Sequence, residues 1–318
     1  MQEIIQVGSL KILPGEKIHT WLEVAADYSG PVRIPFLAVN GKKPGKCLYV
    51  VSGLYGDEYT GMEAIYQLFR EIQVDDLAGQ ILAIPMLNTP AFHLISRVGP
   101  DGIIMNRTGG GQKEGFLTEK IVHFVMENIV KQADYAIEII DIGIYYTITS
   151  FVSLVQRGQK VDLDYAKAYG CDLLWVGSAS PAVVRNAVAR MGVEVIMTEL
   201  GGEGRCLQEN VAYEVRGLKN LLRFLHILPG RAEGLPSQYT VCEGFWMHSQ
   251  TGGIFRSAVH LRQAVKEGTV VARVYDLLDQ ELETIRAPHD GIIIGYRTVP
   301  RIHPGDWTVW VGKVIRQE

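Results

Sequence analysis

The chain holds no stretch of roughly 18 consecutive apolar residues, which excludes a helical membrane span. It has no block of like charge, and its 31 basic and 35 acidic residues leave a formal charge of -4. That near balance gives neither nucleic acid nor an anionic membrane an electrostatic foothold. The four cysteines, Cys47, Cys171, Cys206 and Cys242, form no CxxC pair, which argues against a disulfide framework and against a cysteine-bound zinc. The opening residues MQEIIQVGSLKILPGEKIH lack a basic start followed by an apolar run, so they do not read as a signal peptide. These absences predict a cytoplasmic chain whose partner is a small molecule, with self-association into a homo-oligomer left open. The eight histidines, at 19, 93, 123, 226, 248, 260, 289 and 303, offer no close pair of metal-binding imidazoles.

What is present is a core. Hydrophobic residues make up 47% of the chain, enough for one large domain and a smaller one. The stretches KIHTWLEVAA, VRIPFLAVNG, KCLYVVSG, GQILAIPMLN, YAIEIIDI, CDLLWVGS and VEVIMTELGG read as strands. Between them, YTGMEAIYQLFREI, TEKIVHFVMENIVKQA, SPAVVRNAVARMG and NVAYEVRGLKNLLRFLHIL have helical spacing. Near-continuous apolar strands alternating with helices predict an α/β fold, a mixed sheet with helices on both faces. After about residue 236 the texture changes to short strands separated by Gly, Pro and Asp turns. The expected division is an α/β domain over 1–235 and a small all-β domain over 236–318.

In such a fold, function belongs on the loops at the carboxyl ends of the strands. The first loop, in VVSGLYGDEYTG, carries Tyr55, Asp57 and Glu58. The second, SRVGPDGIIMNRTGGG, carries Arg97, Asn106 and Arg107, and the two arginines could form a fork for a carboxylate. The third follows AIEIIDIG. The fourth, MTELGGEG, ends an apolar strand with Glu199, where half-burial predicts a raised pKa and an acid or base role. Taken singly, each has an ordinary explanation: a helix cap, a salt-bridged carboxylate, surface arginines in a long loop.

The ordered set of four resembles the succinylglutamate desuccinylase and aspartoacylase family, which has the zinc carboxypeptidase-like fold. The resemblance spans nearly the whole chain, from GPVRIPFLAVNGKKPGKCLYVVSGLYGDE through NTPAFHLISRVGPDGIIMNR, ADYAIEII and TELGG to APHDGIIIGYRTVPRIHPGDWTVWVGKV. It implies a zinc held by the histidine and glutamate of the first loop and the histidine ending a later strand. It implies that the glutamate of E-x-G-G activates a zinc-bound water to cleave the amide of an N-acyl amino acid. It further implies that an arginine polarises the carbonyl and that an Asn-Arg pair binds the substrate carboxylate. Carried over by position, Glu58 matches the zinc glutamate and Glu199 the catalytic glutamate. Arg97, Asn106 and Arg107 match the substrate-binding positions.

Two of the three zinc ligands depart from the pattern. Tyr55 stands at the first histidine position, and the second falls at Ile140, or at Gly143 if a gap is allowed. Neither Ile nor Gly has a side-chain lone pair, and a phenol of pKa near 10 is a poor zinc ligand at neutral pH. Glu138 or Asp141 could join Glu58 in an oxygen-rich site for a harder metal. His93, in the second loop region, is the histidine nearest to these stretches. The expectation is a cleft with no metal and no other cofactor, in which Tyr55 fills the zinc space and donates its hydroxyl to Glu58 or Glu199. Three functions remain open: an enzyme using Glu199 as acid or base on a carboxylated ligand, a silent ligand-binding protein, and a zinc amidohydrolase with ligands recruited elsewhere.

Overall fold

A computed structural model describes residues 2–154, 163–176 and 180–317. A short hairpin of β1 (Ile5–Val7) and β2 (Leu10–Ile12) precedes the main sheet. Then follow β3 (Glu16–Asp27), β4 (Gly30–Asn40), β5 (Lys43–Ser52), α1 (Thr60–Glu71), β6 (Ala78–Ile84), α2 (Thr89–His93), α3 (Leu117–Asn128), β7 (Tyr135–Ile140) and β8 (Tyr146–Leu154). The α/β part is completed by α4 (Leu163–Tyr169), β9 (Leu173–Val176), α5 (Val184–Arg190), β10 (Glu194–Gly202) and α6 (Gln208–Phe224).

The alternation of side chains along each central strand supplies both faces of the sheet. In β5, Leu48 and Val50 face a core with Ile65, Leu68 and Phe69 of α1 and Leu218 and Leu221 of α6. Tyr49 and Val51 belong to the opposite core, with Ile121, Val122 and Val125 of α3 and Val184 and Val188 of α5. Because both faces are covered, the buried runs 47–51 of β5, 81–84 of β6 and 136–140 of β7 are apolar apart from Glu138. β5, β6, β7 and β10 pair in parallel, β3 and β4 join antiparallel, and β8 runs antiparallel to β10 but parallel to β9, so the sheet is mixed.

The sheet does not stop at residue 235. β11 (Thr240–Glu243) pairs in parallel with β9, and the strands Trp307–Gln317 and Gly291–Arg297 extend the same sheet. Gly291–Arg297 also pairs with β8, so the carboxyl-terminal strands are fastened to the α/β part at two places. A separate small sheet of Gly253–Ser257, Val270–Tyr275, Glu281–Arg286 and Arg301–Ile302 packs on its own core around Phe255, Val271, Val274 and Ile293. A carboxyl-terminal β-rich region is therefore present, sharing a sheet with the α/β part.

Candidate functional site

The chemistry-bearing loops converge where β5, β7 and β10 end. After Ser52, Gly53 takes φ +67, and Ser52 and Gly53 carbonyls accept from the Leu87 and Asn88 N–H groups. This turn sends Tyr55, Asp57 and Glu58 into the interior, where they are 4%, 4% and 1% exposed. Glu58 is locked to the end of β7: its Oε2 accepts the Asp141 N–H at 3.1 Å, which sets it beside Ile140. Asp141 in turn accepts from the N–H groups of Tyr59 (3.2 Å) and Gly143 (2.9 Å). Glu199 lies across from Ile140 in the sheet, just before a register shift that interrupts β10 between Glu199 and Gly201. Such a bulge re-aims a side chain at a strand end.

Arg97 is the cation of this cluster. Its guanidinium lies 3.9 Å from the centre of the Tyr55 ring and 3.7 Å from Glu58 Oε1. A second, buried guanidinium is Arg185 of α5, whose charge acts on Glu138, Glu199 and Tyr55. Its Nε and Nη1 have no hydrogen-bond partner among the described residues. Asn106 joins the two sides: its Nδ2 donates to Glu138 Oε1 at 3.4 Å, and its Oδ1 accepts the Val184 N–H at 3.3 Å.

Acids outnumber bases here, and burial decides how they resolve the excess. Burial drives Glu58 well above the usual carboxylate range, with repulsion from Asp141 adding to it and Arg97 opposing it. Burial also pushes Glu138 to about 6, Asp141 to about 7 and Glu199 to about 8. For Glu199 the shift survives the opposing pull of Arg97 and Arg185. At neutral pH Glu199 therefore carries a proton, held in a pocket with two guanidinium groups.

The structure brings together Tyr55, Glu58, Arg97, Asn106 and Glu199. Arg107 sits at the end of the same short turn as Asn106 but is exposed. The second guanidinium facing the buried acids is Arg185, which sequence reasoning missed. Its one signal was an arginine inside the apolar run AVVRNAVA. Of the two acceptors expected for the Tyr55 hydroxyl, Glu58 leaves its Oε1 with no hydrogen-bond partner among the described residues; the Tyr55 ring lies beneath Arg97, which itself faces Glu58. His93 is exposed and lines a separate groove with Trp21, Met62 and Phe92.

The donors do not fit zinc. The three carried-over positions do meet, but they supply one carboxylate, one phenol whose pKa burial raises, and an isoleucine. Arg97 already gives Glu58 a cationic neighbour at 3.7 Å. Among the described residues no three His, Cys, Asp or Glu side chains are arranged to hold a metal ion.

The cluster opens onto a cleft of about 440 Å³ between the α/β part and the carboxyl-terminal strands. Its walls are Asp57, Ile95, Arg97, Ile142, Tyr145 and Trp307, with neighbours. Asp306, also on the wall, is paired with Arg297 at 3.5 Å, and Asp57 is buried. The partly exposed Arg97 is thus the charge this cleft presents near the cluster.

Residues 44–225 match the model of the succinylglutamate desuccinylase/aspartoacylase catalytic domain. Over 98% of its length the chain is 27% identical to an N-alpha-acetyl-L-2,4-diaminobutyric acid deacetylase of Halomonas elongata, covering 92% of that protein. A crystal structure of a succinylglutamate desuccinylase from Silicibacter sp. TM1040 superposes with a TM-score of 0.88 at 25% identity, covering 99% of each chain. The product-bound ectoine utilization protein EutE (DoeB) of Ruegeria pomeroyi superposes with a TM-score of 0.86 at 25% identity, covering 94% of this chain and 97% of that one.

Proposed function

We propose that this chain, which belongs to the succinylglutamate desuccinylase/aspartoacylase family, is a metal-free member that acts on a small carboxylated, amino-acid-like molecule. The observation that carries the reading is Arg97: its guanidinium stacks on Tyr55 and faces Glu58, so the positive charge of the site comes from the chain itself. The Halomonas relative is a deacetylase of an acetylated diamino acid, and it supports the same substrate class here: an N-acyl amino acid or a close derivative.

Each residue then has a role that needs no metal. Arg97, partly exposed at the cleft, binds a substrate oxygen and stabilises charge that develops on it. Arg185, buried beside Asn106, sets the charge felt by Glu138 and Glu199 from behind the cluster. Arg107, exposed at the end of the turn that carries Asn106, attracts the ligand from solvent. Glu58, 3.7 Å from the Arg97 guanidinium, positions Arg97. Glu199, protonated at neutral pH, gives a proton to the leaving or rearranging atom and later takes one back. The Tyr55 phenol, kept neutral by burial, is a second proton donor. Without a metal to activate water, ester cleavage, elimination or isomerisation is easier for this set than amide hydrolysis.

Elemental mass spectrometry of protein purified without chelator or metal-binding tag is the first test. The expected result is far less than one metal ion per chain, together with a rise in melting temperature on adding N-succinylglutamate or N-acetyl-2,4-diaminobutyrate. Glu199→Gln should keep that binding and abolish turnover, and wild-type turnover should decline as pH rises through about 8, where Glu199 loses its proton. One zinc per chain, with activity lost to a chelator and restored by zinc, would overturn the metal-free reading. A ligand bound with no turnover by wild type would convert it to a silent binding protein. That second reading draws on the Arg97, Tyr55 and Glu58 set, whose members already contact one another.

A further inference from the structure

Helix α2 ends in an unusual way. After Leu94, the Ile95 N–H bonds the Phe92 carbonyl and the Ser96 N–H bonds the Ala91 carbonyl, both at 3.1 Å. This pair of bonds is the Schellman arrangement, whose turning residue is left-handed and most often glycine. Here it is Ile95, with φ +49. Among the described residues five non-glycine residues have positive φ, and Ile95 is the β-branched one. Branching at Cβ makes that conformation especially unfavourable.

Burial does not compensate for this strain, because the Ile95 side chain is 65% exposed. It stands on the wall of the 440 Å³ cleft with Ile142, Ile144, Tyr145 and Trp307, two residues before Arg97. The turn is also fixed. The Gly56 N–H donates to the Ser96 carbonyl at 2.9 Å, and a Cβ at Gly56 would fall 2.1 Å from the Ala91 carbonyl carbon. The loop carrying Glu58 and the turn carrying Ile95 are therefore docked backbone to backbone.

We infer that Ile95 is a specificity-determining residue, a rigid apolar contact held over the cleft so that a carboxylated ligand must also present an aliphatic segment to it. The inference rests on the cleft being the ligand site proposed above. It assigns the ligand a division of labour: its anionic end goes to Arg97, and its methylenes lie along Ile95, Ile142 and Ile144. Strain stored at an exposed residue on a binding wall is the pattern expected where function, not stability, holds the residue in place.

The test is a homologous series of N-acylglutamates, acetyl, butyryl and hexanoyl, titrated calorimetrically into wild type, Ile95→Gly and Ile95→Ala. Wild-type affinity should rise with chain length, by up to about fourfold per buried methylene. In both variants the chain-length dependence should flatten, while the acetyl compound binds nearly as in wild type. Ile95→Gly should also melt at a higher temperature than wild type, since glycine relieves the left-handed strain. An unchanged chain-length dependence in both variants would overturn the role of Ile95 while leaving the carboxylate site intact. Failure of every member to bind wild type would overturn the underlying ligand reading along with it.

Discussion

Behind the strand that carries Glu199, the hydroxyls of Tyr169 and Thr198 both donate to Glu214 Oε2, Thr198 at 2.9 Å. Glu214 is 1% exposed, its Oε1 has no hydrogen-bond partner among the described residues, and burial pushes its pKa to about 7. Its carboxyl is thus close to half protonated at neutral pH, and ionised at pH 8. Glu214→Gln removes the ionisation but leaves an amide with unpaired donors where Oε1 was. Stability at pH 8 should therefore rise relative to wild type by at most about 3 kcal/mol, and the gain should shrink or reverse near pH 5. Thermal melts of both proteins at the two pH values check this; a difference independent of pH would mean that Glu214 does not titrate in the fold. At this scale much of the cleft was legible in the sequence. Glu58, Glu199, Arg97 and Asn106 sit at loop positions whose order carries information beyond any one residue. Arg185 was not legible, because a helix read only for apolar spacing gives no account of an arginine on its buried side. The partners of Tyr55 were not legible either, since they depend on how Arg97 and Asn106 approach it in space.

Packing between α4 and α6 turns on one missing side chain. Gly217 sits inside α6, and a Cβ there would fall 2.1 Å from the Tyr169 ring. Helix propensity favours Gly217→Ala by about 1 kcal/mol. The overlap opposes it, and the ring cannot easily give way because its hydroxyl is tied to Glu214. Overpacking of a fixed core typically costs 1–3 kcal/mol, so the net effect should be a destabilisation of about 1–2 kcal/mol, read as a lower urea midpoint with the slope unchanged. A more stable variant would show that Tyr169 has room to move. Elements with an apolar run, such as β5 and β6, or with apolar residues at helical spacing, such as α1, were plain in the sequence. β8 was not, although it lies inside the sheet between β9 and β10. Its Thr147, Thr149, Ser150 and Ser153 break the apolar run, and its antiparallel pairing comes from a connection no local pattern announces. The same holds for β11, which is only four residues long yet carries the main sheet across the expected domain boundary.

Taken over the whole molecule, the buried acids bias stability toward mildly acidic conditions. Burial pushes Glu138, Asp141, Glu199 and Glu214 to about 6, 7, 8 and 7, against ordinary values of 4.5 for glutamate and 3.8 for aspartate, and it raises Glu58 well above its ordinary value too. Between the unfolded and folded pKa of each group, the native chain holds a proton that the unfolded chain has released. The unfolded state then binds fewer protons, so stability falls as pH rises. The contribution is complete below about pH 4 and is lost progressively as pH climbs through 6 to 8. The exposed Lys266–Asp290 pair, which lowers the Asp290 pKa, works in the other direction only weakly, because solvent screens it. The melting temperature should therefore increase as pH is lowered from 8.5 to about 5.5, where many proteins are level or already declining. Glu199→Gln and Glu214→Gln should each flatten the slope, and together they should flatten it most, since the two groups lie on different sides of β10. A melting temperature that is constant or falling over that range would mean the acids are ionised in the native state. The arginines or an unforeseen cation would then be neutralising them, and the proton inventory that gives Glu199 its acid role would have to be redrawn.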